Sequence, residues 1–145
     1  MTSERIARVL DLKRFTKEQL EAEARQRREE LRVEKERLER LERLFDETVR
    51  KFNERHESGL LERNDLELYY DYIAYMERSL KEQKTRVEEK KKRLVEKERE
   101  VLTAHREKRL VEILHDNTIR EEIRESLIRE QKEMDMDFLM RRLRR

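Results

Sequence analysis

Apolar residues recur along the first part of the chain at alternating steps of four and three. The track runs through Ile6, Leu10, Lys13, Lys17, Leu20, Ala24, Arg27, Leu31, Glu34, Leu38, Leu41, Phe45, Thr48 and Phe52 without a slip. Nine of these 14 positions are apolar although only 34% of the chain is, and that excess predicts one seam of a coiled coil. The pattern stops at Glu57-Ser58-Gly59-Leu60. Gly59 is the sole glycine of the chain, and glycine is the residue best suited to the left-handed conformation that ends a helix. Asn64-Asp65-Leu66-Glu67 follows, in which Asn64 can cap a second helix with Glu67 reaching back to it.

A second track then runs through Leu66, Tyr69, Ile73, Met76, Leu80, Gln83, Val87, Lys90, Leu94, Lys97, Val101, Ala104, Lys108, Val111, His115 and Thr118, with ten of 16 positions apolar. Folded together about residue 59, the tracks oppose residues whose numbers add to about 118. Phe52 then faces Leu66, Phe45 faces Ile73, Leu38 faces Leu80, Leu31 faces Val87 and Ala24 faces Leu94. The two seams are read independently, so their agreement predicts an all-α fold: a long two-helix antiparallel coiled-coil hairpin with a C-terminal helical overhang. Helix 1 is expected at about 3–57, the turn at about 58–63 and helix 2 at about 64–141, as a single coiled-coil domain over 1–145. Each arm of ~50 residues would span ~75–80 Å at about 1.5 Å per residue. Polar seam residues (Lys13, Lys17, Arg27 and Glu34 on one arm, Gln83, Lys90 and Lys97 on the other) loosen the middle and fix register.

The second helix is expected to outrun its partner, because Met1 falls opposite about Asn117. Residues 118–145 would then lack an internal partner, yet they carry Ile119, Ile123, Leu127, Met134 and Phe138 at spacings mostly of four. An unpartnered apolar stripe points to an external partner, or to a fold-back or frayed end. Thr118-Ile119-Arg120-Glu121 matches a capping box, which allows a kink near 116–118.

Composition narrows the function. Charged residues make up 51% of the 145, proline is absent, and 38 Lys plus Arg against 36 Asp plus Glu leave a net charge of +2. Too little apolar surface remains for a thick core, and interspersed charge suits a solvated helix. A nucleic-acid binder more often carries a one-signed patch. The one dense basic cluster, Arg141-Arg142-Leu143-Arg144-Arg145, also suits a solvated helix C-terminus. The absence of cysteine excludes disulfide and thiolate chemistry. No apolar run reaches the length of a membrane span, and the N-terminus lacks a signal-peptide core, so a cytoplasmic protein is expected. His56, His105 and His115 are isolated, and there is no glycine-rich phosphate loop. A two-helix fold has no cleft in which to desolvate a carboxylate. The expectation is a protein that is not an enzyme, with no catalytic residues, no metal and no cofactor.

The aromatic residues gather around the turn. Phe45, Phe52, Tyr69, Tyr70, Tyr72 and Tyr75 lie close together, leaving only Phe15 and Phe138 elsewhere. Phe45, Phe52 and Tyr69 belong to the seam; Tyr70, Tyr72, Leu44 and Val49 flank it, and Tyr75 lies on the outer face. Tyrosine offers contact area with few rotatable bonds, so a wide aromatic tip suits a protein partner, and reinforcement of the hairpin end is the plainer alternative.

The segment Leu66-Glu67-Leu68-Tyr69-Tyr70-Asp71-Tyr72-Ile73-Ala74-Tyr75-Met76-Glu77-Arg78-Ser79-Leu80-Lys81-Glu82-Gln83 resembles the start of the second helix in the FliJ family, the small coiled-coil component of the flagellar type III export apparatus. The opening Ile6-Ala7-Arg8-Val9-Leu10-Asp11-Leu12-Lys13 and the stretch Gln131-Lys132-Glu133-Met134-Asp135 are similar to the family's two ends. The related injectisome stalk proteins share this layout. The resemblance implies a monomeric stalk and adaptor. Its termini would enter the pore of the hexameric export ATPase, with Ile6, Leu10, Ile123 and Leu127 at that end. Phe45, Val49, Tyr72, Met76 and Gln83 would face the cytosolic domain of the export gate, with Val49 and Gln83 departing from the residue types common in relatives. It also implies escort of export chaperones, no nucleic acid, and membrane association through the gate alone. Outside the resemblance stand a coiled-coil DNA-binding regulator with the arginine tail as its arm, and a generic scaffold or tropomyosin-like rod.

Overall fold

In a computed structural model, which describes residues 2–59 and 61–144, the chain forms α1 (Ser3–Glu57) and α2 (Arg63–Leu143). The readings that involve Met1, Leu60 and Arg145 lie outside the described residues. The two helices pack against each other as a helical hairpin, and the described residues include no strand.

Local chemistry sets the helix ends. The Thr2 carbonyl accepts from the Ile6 N–H at 3.2 Å, and the Thr2 hydroxyl accepts from the Arg5 N–H at 3.4 Å, the pattern of a threonine N-cap. At the other end of α1 the Ser58 N–H reaches the Glu54 carbonyl at 3.1 Å and the Gly59 N–H reaches the His56 carbonyl at 3.2 Å. Gly59 has φ of 69°, the left-handed value its position predicted. α2 begins two residues earlier than Asn64 capping requires. The Leu66 N–H bonds to the Glu62 carbonyl at 3.1 Å, so Asn64 sits inside the first turn. Nor does Thr118 act as a cap: its hydroxyl donates to the Leu114 carbonyl at 2.8 Å, the use a threonine finds inside a helix, and helix runs on through it.

Every seam position of both tracks is buried or half-buried. The chain divides into two compact units. The unit Leu20–Glu100 contains the turn. Ala24, Leu31, Phe52, Met76 and Val87 are its buried apolar residues, and Leu38, Leu41, Phe45, Leu66, Ile73, Leu80 and Leu94 are half-buried beside them. Full burial of an aliphatic side chain is worth about 1.5–3 kcal/mol, so these layers rather than surface ion pairs hold the helices together. Polar layers alternate with them. Lys97 reaches Glu23 at 2.8 Å, Lys90 reaches Glu30 at 3.3 Å, and the Gln83 amide donates to Glu34. Phe52 packs on Tyr69 and Tyr70, a little beyond the Leu66 expected opposite it, because aromatic side chains reach across neighbouring layers.

The other unit comprises Met1–Gln19 and Val101–Arg145. Ile6, Leu10 and Ala104 are buried there, and Lys13 bonds to Glu107 at 3.0 Å. Pairing extends further along α2 than expected. The Ser3 N–H and hydroxyl donate to the two Glu122 carboxylate oxygens at 2.9 and 2.7 Å. Glu122 occupies the heptad position after Thr118, so the seam ends on a carboxylate that caps α1 from the neighbouring helix. Internal support therefore ends near residue 122, not 117, and residues 121–144 are all solvent-exposed.

Candidate protein-binding surfaces

Around the turn, α1 supplies Phe52, Arg55 and His56 and α2 supplies the tyrosines. Phe52 is the hub. Its ring lies 5.3 Å from Tyr69, 5.7 Å edge-on from Tyr70 and 5.9 Å stacked on His56. The Arg55 guanidinium sits 5.9 Å above the Tyr69 ring and donates to its hydroxyl at 2.7 Å. Tyr69 is thus satisfied internally. Leu68, Tyr72 and Tyr75 are not: they are 67%, 44% and 60% exposed and line the outer side of α2 at steps of four and three. A shallow cleft of about 250 Å³ opens between Arg55, Asp65, Leu68, Tyr69 and Tyr72. This surface offers apolar area ringed by hydroxyls, one guanidinium and one carboxylate, which suits a protein contact.

The five residues matched to the gate-binding pattern are not presented alike. Tyr72 is exposed, and Phe45 and Val49 are half-buried. Met76 and Gln83 are 3% and 4% exposed. The heptad explains this: both occupy seam positions and turn toward α1. The Gln83 amide is committed there, donating to the Glu34 carbonyl at 3.0 Å and to its carboxylate at 2.6 Å. Leu68 was missed in the sequence reading, although its spacing to Tyr72 and Tyr75 carries the signal.

The residues matched to the ATPase-engaging end also divide. Ile6 and Leu10 are buried and fasten α1 to α2, whereas Ile123 and Leu127 are exposed. Beyond them Met134, Met136, Phe138, Leu139, Met140 and Leu143 are each more than half exposed. At about 100° per residue Met136, Leu139, Met140 and Leu143 share one arc of α2, Met134 and Phe138 share a second, and Glu133, Asp137 and Arg141 fill a charged face between them. Of the six, Met136, Leu139, Met140 and Leu143 lie off the stripe of Met134 and Phe138, on a second face that a single four-residue spacing does not pick out. Glu133, Asp135 and Asp137 precede Arg141, Arg142 and Arg144, so acidic and basic turns follow one another.

The charged groups are tuned by pairing. The Ser3 hydroxyl and N–H hold the Glu122 carboxyl below the usual carboxylate range. Lys90 does the same for Glu30, and Arg109 for Glu112. Glu100 and Glu23 raise Lys97, and ion pairs with Glu29 and Glu36 raise Arg32. These are structural pairs at the surface. Among the described residues no group of three or more His, Asp or Glu is placed to hold a metal, and no helix is long and apolar enough to cross a membrane.

In comparisons with known proteins, the profile of the family described as Flagellar FliJ protein matches residues 2–145. Neither a curated protein nor a solved structure matches the chain.

Proposed function

Because the chain belongs to the FliJ family, whose members are flagellar export-apparatus proteins, we propose that it is a non-catalytic stalk and adaptor of that apparatus. The last turns of α2 insert in the pore of the hexameric export ATPase. The Leu68–Tyr72–Tyr75 surface binds the cytosolic domain of the export gate, and Phe45 and Val49 are further contacts that the family resemblance implies. The protein works in the cytoplasm at the face of the export apparatus, and it escorts export chaperones as the family resemblance implies.

The observation that carries this reading is the end of α2. A helix apolar on one face packs against one neighbour; a helix with two separate apolar faces needs cover on both. From Met134 to Leu143 α2 is of the second kind, and its apolar residues are all exposed. A ring that encloses a single helix meets that need, and a flat docking surface does not. The acidic turn followed by the basic turn gives such a sleeve two charge levels to read.

The test is turnover and ring assembly of the cognate export ATPase with the full chain and with a chain ending at Glu122. The shortened chain keeps the Ser3–Glu122 cap and every seam position, so it is expected to stay helical and to lose stimulation of the ATPase. Equal stimulation by both chains would overturn the assignment of the α2 end.

A further inference from the structure

We propose that Gln83 sets the register in which the two helices pair within the unit Leu20–Glu100. Sequence resemblance places this residue at a partner surface, but its amide is buried and spent on α1.

A regular heptad seam does not by itself choose one register. A slide of seven residues, about 10 Å at about 1.5 Å per residue, brings each apolar layer onto the next apolar layer. Val87 now lies level with Leu31, and after such a slide it would meet Leu38 or Ala24. The charged layers are nearly as indifferent. Glu23 and Glu30 are one heptad apart on α1, and Lys90 and Lys97 are one heptad apart on α2. A slide one way gives Lys97 the carboxylate of Glu30; a slide the other way gives Lys90 that of Glu23. These side chains are long and partly in water, so they adapt to either.

Gln83 differs on each count. It is the one buried polar side chain among the described residues, and it donates both to the Glu34 carbonyl and to the Glu34 carboxylate. One heptad from Glu34 stand Leu41 and Arg27. Against Leu41 the amide meets no side-chain acceptor; against Arg27 its Nε2 loses the carboxylate, while its Oε1 can accept from the guanidinium. Either slide takes from the buried Gln83 N–H its carboxylate acceptor, and that penalty, unlike the apolar and ionic layers, distinguishes the native alignment from its neighbours. A slide would also shift the turn and take Phe52 away from Tyr69 and Tyr70, so the tip surface is assembled only in the register that Gln83 selects.

The chain has no cysteine, so introduced pairs report register without background. Three full-length reporters are compared with a short bismaleimide: Leu31→Cys with Val87→Cys for the native register, and Leu38→Cys or Ala24→Cys with Val87→Cys for the two slid ones. With Gln83 present, intramolecular cross-linking is expected only in the first. With Gln83→Leu added, which keeps the seam apolar and the chain helical by circular dichroism, slid-register products should rise roughly tenfold relative to the native one, the equivalent of one unsatisfied buried amide. Cross-linking confined to the 31/87 pair in Gln83→Leu would overturn the proposal. So would equal slippage on neutralising an ion-pair layer instead, by Glu23→Gln with Lys97→Gln, because register would then belong to the charges. The readout involves no export component, so its outcome is independent of the function proposed above.

Discussion

Three residues make the local logic of this hairpin measurable. Gly59 turns the chain at a φ of 69°, and a Cβ there would meet nothing within 4 Å. Its replacement therefore costs backbone strain alone. Gly59→Ala should lower stability by about 1 kcal/mol in urea unfolding, and Gly59→Asn by less, since asparagine tolerates the left-handed region. Phe52 is the hub of three ring contacts and is nearly buried, so Phe52→Ala should cost about 2–4 kcal/mol and release the order of the tyrosines, read in near-ultraviolet circular dichroism. Glu122 has its carboxyl lowered by Ser3. A carboxylate depressed in the folded state contributes stability above its unfolded pKa and loses it as the pH falls through the folded value. Amide exchange in the first turn of α1 should accordingly quicken, relative to the intrinsic rate, on acidification below about pH 4, and Glu122→Gln should remove that extra acid sensitivity.

At the scale of elements, α1 and α2 are long for the same reason: abundant Leu, Glu, Lys and Arg, no proline, and one glycine at the turn. They differ in support. α1 is paired along its length, whereas the end of α2 has only its own backbone bonds. Helices without tertiary contacts open readily, so amides at 123–143 should exchange orders of magnitude faster than those at 73–118, and proteases should cut there first. An enclosing partner should reverse both. The ionic layers add little by comparison. Glu23 is half-exposed, and Glu23→Gln should change stability by under about 1 kcal/mol, with an effect that shrinks in salt.

For the whole molecule, the near-balance of charge and the two separate apolar surfaces favour a protein that holds proteins. The surfaces belong to different units and should fail separately. Leu68→Ala with Tyr75→Ala, both outside the seam, should weaken capture of the export-gate domain at least tenfold in pull-down while leaving ATPase stimulation and helicity unchanged. Much of this was legible before any coordinates. Two uninterrupted heptad tracks and a lone glycine suffice to specify two helices, their facing sides and the turn, because a repeat of seven residues gathers the apolar positions on one face of each helix. What lay outside that periodicity needed the tertiary structure. Heptads leave register degenerate, so only the packed helices could show Gln83 held by Glu34, and Met76 enclosed rather than presented. The carboxylate cap on Ser3 joins residues at opposite ends of the sequence, and no local pattern announces it. Periodicity is written residue by residue along the chain; alignment and cover are properties of two surfaces in contact, and they exist only once those surfaces meet.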